Sequence, residues 1–168
     1  MAKRTCSHKS ITPTATADTT NLVDATYPWA IQGGSGTQRT RVSEIYMGGQ
    51  AAVTSPTIMV FGRHSTIGVT LSKGANLLDA WNDPASADLA APPVVFNTAT
   101  TKPQRSATLG ALLNLSFNAF GGLVRWVAPP DGEISMVGNT ASLGELGLSA
   151  FTGGTTGLLG GHMVYETF

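Results

Sequence analysis

The stretch Leu109–Gly138, LGALLNLSFNAFGGLVRWVAPPDGEISMVG, constrains this chain more than any other part. Leu113, Leu115 and Phe117 alternate with Asn114 and Ser116, and Gly121-Gly122 interrupts the pattern. Leu123 to Val127 then runs into Pro129-Pro130-Asp131-Gly132, and Ile134 to Val137 follows. Successive strand side chains point to opposite faces, so period-two alternation broken by Gly-Gly and Pro-Asp-Gly predicts antiparallel strands with tight connections. The stretch reads as a β-meander, with Leu113, Leu115, Phe117, Val124, Trp126, Ile134 and Met136 facing a core.

The rest of the chain continues in the same idiom. Arg41 to Met47 alternates, placing Ser43, Ile45 and Met47 on one face and Val42, Glu44 and Tyr46 on the other. Thr57 to Arg63 is nearly all apolar, as expected of a strand covered on both faces. Ile67–Leu71, Leu143–Phe151 (with Leu146, Leu148 and Ala150 on one face) and Gly161–Phe168 complete the set. Ala75 to Trp81 has helical spacing for a turn or two, with Leu77, Leu78 and Trp81 at i, i+1 and i+4, ended by Asn82-Asp83-Pro84. Residues 73–106 otherwise read as a long loop that reaches over the domain or onto a neighbour. Eight to ten short, evenly spaced strands with almost no helix predict an all-β protein. The expected fold is an antiparallel β-sandwich of jelly-roll type over residues 21–168, preceded by an extended N-terminal arm over residues 1–20.

Composition narrows the function classes. Charged residues make up 12% of the 168 residues, and ten basic side chains balance ten acidic ones, so no global field directs the chain to nucleic acid. Threonine occurs 22 times against four lysines, a polarity suited to strands and turns. Low charge also suits a surface that sits against other subunits. The single cysteine, Cys6, rules out an intrachain disulfide. No apolar run approaches membrane-span length, and the basic start MAKRTCSHKS has no apolar segment after it, so neither a membrane nor a secretory signal is expected. Assembly in a cytoplasm is the reading.

Tests for chemistry come back empty. His8, His64 and His162 have no His, Cys or carboxylate at a metal-binding spacing, and no GxSxG elbow surrounds a serine. His64-Ser65 reads as turn polarity. Four Glu and six Asp are scattered, with Asp83 and Asp131 beside turn prolines and Glu145 and Glu166 on late strands. The Gly-rich loop 32–38 lacks the Lys-Ser/Thr and the helix that a phosphate loop needs. No catalytic residue, cofactor or metal is assigned, and the chain is read as a non-enzyme.

From Arg41 onward the pattern resembles small β-sandwich proteins of tailed-bacteriophage virions. The resemblance rests on RVSEIYMGGQAAVTSPTIMVFGRHSTIG, a Pro/Ala-rich loop with Leu77 and Pro84, the FNAFGGLVRWVAPPDGEI segment and a last strand ending YETF. It implies a capsid decoration (cement) protein on the virion surface, clamping the major capsid protein from outside as a homotrimer, with no turnover, no membrane and no nucleic acid. The segments expected to make the contacts are the arm, through Lys3, Arg4 and Lys9, and elements near the long loop, through Trp29, Leu77, Leu78 and Trp81. Two other readings stay open: a single jelly-roll shell-forming coat protein with its basic arm turned inward, and a carbohydrate-binding tail or adhesin module presenting Trp29 or Trp81.

Overall fold

The computed structural model describes residues 2–11, 29–85, 90–106, 108, 111–150 and 158–168. Within them the protein is all-β: fourteen strands and no helix. Two antiparallel sheets pack face to face as a sandwich. Residues 12–28, which include the rest of the expected arm, and 151–157 lie outside the described residues.

The first sheet has β3 (Arg39–Gly49), β14 (Leu159–Thr167) and β1 (Ala2–Ile11) at its centre, in that order. On one side β3 carries β11 (Leu123–Val127) and β12 (Ile134–Val137), laid end to end; on the other, β1 carries β6 (Leu77–Trp81). The second sheet runs β10 (Ala111–Asn118), β4 (Pro56–Thr66), β13 (Glu145–Ala150), β2 (Trp29–Gln32), β7 (Val94–Phe96). The pairings nest. β4 pairs with β10, β3 with β11 and β12, β2 with β13 and β1 with β14, so the chain forms one long two-stranded ribbon. Rolling that ribbon adds the β14–β3 and β13–β4 contacts that close each sheet.

The described residues between positions 67 and 106 sit at the apex of the ribbon and return to its far edges. β6 extends the first sheet and β7 the second. β5 (Val69–Ser72) and β8 (Thr98–Thr101) form a separate hairpin, and β9 (Gln104–Arg105) pairs with the end of β4. The expected loop therefore does reach over the domain, but as sheet. Leu77–Trp81 is a strand where helical spacing was expected, because β1 offers a backbone ladder and the alternation Leu77 in, Leu78 out then applies. The expected meander is also revised: β10 joins the second sheet, and β11 and β12 both pair with β3 instead of with each other. Pro129–Gly132 loops out between them as a turn, closed by Gly132 N–H donating to Pro129 O at 2.8 Å, with Asp131 at φ 61°. Asp tolerates that left-handed position better than most residues.

The arm expectation changes most. Residues 2–11 are extended, but they form an interior strand with β14 on one side and β6 on the other, and Cys6, His8 and Ile11 are buried. A strand flanked on both sides makes two sets of ladder hydrogen bonds, which outweigh the polar character of its outward residues Lys3, Thr5, Ser7 and Lys9.

The core lies between the sheets. Ile45, Met47, Met163 and Tyr165 from the first meet Trp29, Ile31, Met59, Phe61, Leu146 and Leu148 from the second. Each such side chain contributes roughly 1.5–3 kcal/mol by leaving water. Leu115 and Met136 are buried as expected, while Leu113, Phe117, Val124, Trp126 and Ile134 pack against the core's margin. Val42 also faces inward, against the strict alternation. The β3–β14 register slips between Val164 and Tyr165, which pair with Glu44 and Val42, leaving Ser43 as an extra residue that turns Val42 to the core. β13 is buried along its length and β4 from Met59 to Gly62, and a second small cluster, Ala30, Phe96 and Ala99 with Leu71, joins β2 and β7 to the β5–β8 hairpin.

Deleting residues 2–11 is therefore expected to abolish cooperative folding instead of trimming a tail. Circular dichroism against denaturant checks this, and a sharp wild-type-like transition would contradict the interior placement of β1.

Candidate interaction surfaces

The seven expected contact residues separate into three groups. Lys3 and Lys9 project from β1 on the outer face of the first sheet, and Leu78 is exposed beside them on β6. Arg4 and Trp81 face each other across β1 and β6, with the guanidinium 4.2 Å from the ring centroid and a 3.6 Å ion pair to Asp79. Trp29 and Leu77 are core side chains enclosed by this chain's own packing, which removes them from the set open to a partner. Trp29 is likewise closed to a glycan. Its burial has a sequence cause: the indole packs over Gly161, whose missing Cβ leaves the space.

Asp79 collects a second set of partners. Tyr165 donates its hydroxyl to it at 2.9 Å, and Lys73 approaches at 3.4 Å, with the carboxylate almost fully covered. Burial first, and the Asp79 charge second, push both the Cys6 thiol and the Tyr165 hydroxyl far above their ordinary pKa values, so both stay protonated.

His64 is not turn polarity. It lies in β4 with its ring over Gly147, and its Nδ1 is 2.5 Å from Glu145 Oε1 on β13. Glu145 Oε2 accepts from the Gln32 side-chain amide at 2.7 Å and from Gly68 N–H at 2.9 Å. A His–carboxylate pair resembles half of a catalytic triad, but here the two side chains are 1% and 0% exposed. No substrate reaches them. The cluster instead ties β2, β4 and β13 to the start of the apex insertion at Gly68. Sequence spacing hid it, since the two residues stand 81 positions apart. One signal was present: Glu145 heads the apolar segment ELGLSA, and a carboxylate there requires partners.

The outer face of the first sheet carries a cross-strand row, Arg125, Tyr46, His162, Ser7 and Leu78. Tyr46 and His162 stack, with centroids 5.2 Å apart and planes within 13°. Glu44 accepts two hydrogen bonds from Arg125, at 2.9 and 3.0 Å, and lies 3.0 Å from His162 Nε2. The Arg125 hydrogen bonds hold the Glu44 carboxyl below its usual range, with His162 adding to the effect. On the opposite, buried side of β1, burial pushes the His8 imidazole below its ordinary value.

At one end of the sandwich the β3–β4 and β10–β11 connections are stitched together. Gly49 N–H donates to Gly122 O, Ala51 N–H to Ala119 O and Ala119 N–H to Ser55 O, all within 2.8–2.9 Å. On this braced tip Val53, Phe120 and Leu123 stand 71%, 56% and 63% exposed. Sequence reading passed over them because all three lie in or beside turn signals. Among the described residues no group of three or more His, Cys, Asp or Glu is placed to hold a metal, and no helix is long and apolar enough to cross a membrane. No protein-family model, curated protein or solved structure matches the chain.

His64→Ala removes the closest partner of a carboxylate sealed from water and is expected to cost about 3 kcal/mol, the low end for breaking a buried pair. Urea unfolding measures it, and a loss below about 1 kcal/mol would mean the cluster is not a structural tie. A pH effect follows from His8. Its folded-state pKa is depressed, so below about pH 6.5 the unfolded chain binds the proton more readily. The contribution of the neutral ring is whole above that pH and is lost as pH falls toward the folded value. Melting temperature should fall on acidification from pH 7, and His8→Gln should flatten the pH 6–7 part of that curve.

Proposed function

We propose that this chain is a virion structural protein of the capsid decoration type, binding the outside of the major capsid lattice and acting as a homotrimer by contact alone. The observation that carries the reading is the braced apolar tip. Val53, Phe120 and Leu123 are exposed on or beside two connections that backbone hydrogen bonds tie together, and exposed apolar side chains on tied connections suit a contact surface. The nested strand order supports the finer expectation of a jelly roll, an architecture recurrent in capsid proteins. β10 adds support for self-association. It is an edge strand of eight residues, ALLNLSFN, with no charge or proline to discourage strand addition. Among the described residues, the buried His–Glu pair offers a substrate no access, which favours a contact role over turnover.

A second reading, a shell-forming coat protein, draws on the same strand order. The two part company in assembly. Purified decoration protein remains a small oligomer and co-sediments with preformed undecorated capsids, whereas a coat protein closes shells by itself. Light scattering after size-exclusion chromatography is expected to give a trimer. The double variant Phe120→Glu, Leu123→Glu should weaken capsid binding at least about tenfold while its melting temperature stays near wild type. A stable monomer that ignores capsids would overturn the proposal.

A further inference from the structure

The sandwich is closed along one flank and open along the other. On the flank of β6 and β7 the inward residues Leu77 and Val95 are buried. On the opposite flank β10 ends the second sheet and lies against β11 of the first. There Leu113 and Phe117 on β10, Val124 and Trp126 on β11 and Ile134 on β12 are only partly buried at the core's margin. They form an apolar seam between the edges of the two sheets.

A sheet edge is a template for another strand, and proteins protect edges with charge, proline or bulges. The first sheet's edge on this flank carries Arg125 and is broken where Pro129–Gly132 loops out between β11 and β12. β10 is protected only at its start. A bulge falls at Leu112, but Leu113–Asn118 pairs with β4 residue for residue and leaves its other side without a strand among the described residues. None of its eight residues is charged.

The strand is also complementary to itself. Directly opposite residues of an antiparallel pair share one face of the sheet. In a register centred on Leu115, Leu113 stands opposite the second copy's Phe117 and Leu115 opposite the second copy's Leu115, which extends the seam across the contact. On the outer face exposed Asn114 stands opposite exposed Ser116. A register centred on Asn114 would instead set Phe117 against Ala111, at the bulge. A net charge of zero leaves two copies without long-range repulsion. We propose that β10 pairs antiparallel with β10 of a second copy, centred on Leu115, so that the second sheet runs on through both. The same strand serves on each side, so the contact is isologous and closes at two. It deepens the self-association of the proposed function: being two-fold, it joins one trimer to another and does not close a trimer.

Sedimentation velocity of the intact chain from about 1 µM to about 1 mM is expected to show the smallest species doubling in mass, with a midpoint on the order of 100 µM, as for a small interface. The outward β10 amides should gain protection from hydrogen exchange over the same range. Asn114→Lys with Ser116→Lys sets like charges opposite each other in this register and should raise the midpoint at least about tenfold. Asn114→Lys with Ser116→Glu sets opposite charges there and should return it to within about threefold of wild type. Melting temperatures near wild type separate a lost contact from a lost fold. The strand pair is overturned if mass does not double by about 1 mM, if growth runs on past doubling, or if the two variants behave alike. It is also overturned if the outward amides are already protected in dilute solution, which would place another strand on that edge. The smallest species reports separately on the trimer: a monomer that doubles refutes the trimer and keeps the strand pair, whereas a trimer that never doubles does the reverse.

Discussion

The pairing of Ala2–Ile11 with Leu159–Thr167 is the contact on which the remaining structure depends. Taken alone, that closure is costly, since it joins segments near opposite ends of the chain. The nested order reduces the cost. Once β4 meets β10, β3 and β11–β12 are already close, and each later pair closes only the connections beside it. The last pair formed in this scheme also completes the first sheet, because β14 lies against β3 as well. β6 then returns from the apex insertion and pairs with the free side of β1. A strand that reads as a loose polar segment thus becomes the seam where the ribbon and its insertion meet.

Apolar packing fixes the sandwich but does not by itself fix where the insertion sits. Two buried carboxylates supply that direction. Asp79 on β6 gathers Arg4 from β1 and Tyr165 from β14, while Glu145 on β13 holds Gly68 N–H at the start of the insertion. Both carboxylates lose hydration, so their net contribution to stability is modest even with good partners. Their effect on register is larger. Slipping β6 by one residue would turn Asp79 outward and Leu78 inward, stranding Arg4 beside the core.

Sequence legibility followed the strength of alternation. β10, β13 and the inward residues Leu146, Leu148 and Ala150 were readable because their patterns are clean and their turns well marked. Val42 was misassigned because one bulged residue, Ser43, inverts the faces of everything before it, and periodicity carries no sign of a bulge. β1 was missed because its buried side includes Arg4 and His8, held by partners far away in sequence. His64 and Glu145 were missed for the same reason: their meaning lies in a contact across two strands. The tip residues Val53, Phe120 and Leu123 look like loop residues in sequence, and their prominence depends on backbone bonds between two distant turns.

Several ionisable side chains are engaged with one another inside the fold or on its surface. His64 and Glu145 bind each other out of reach of solvent. His162 is positioned by Glu44, which also accepts both hydrogen bonds from Arg125, so this surface triad neutralises itself. Asp79 is enclosed by cations and a phenol. The ionisable groups that most resemble machinery are thus used in holding strands together. What the scaffold leaves exposed is of another kind: the apolar side chains of Val53, Phe120 and Leu123 on the connections tied together at one end.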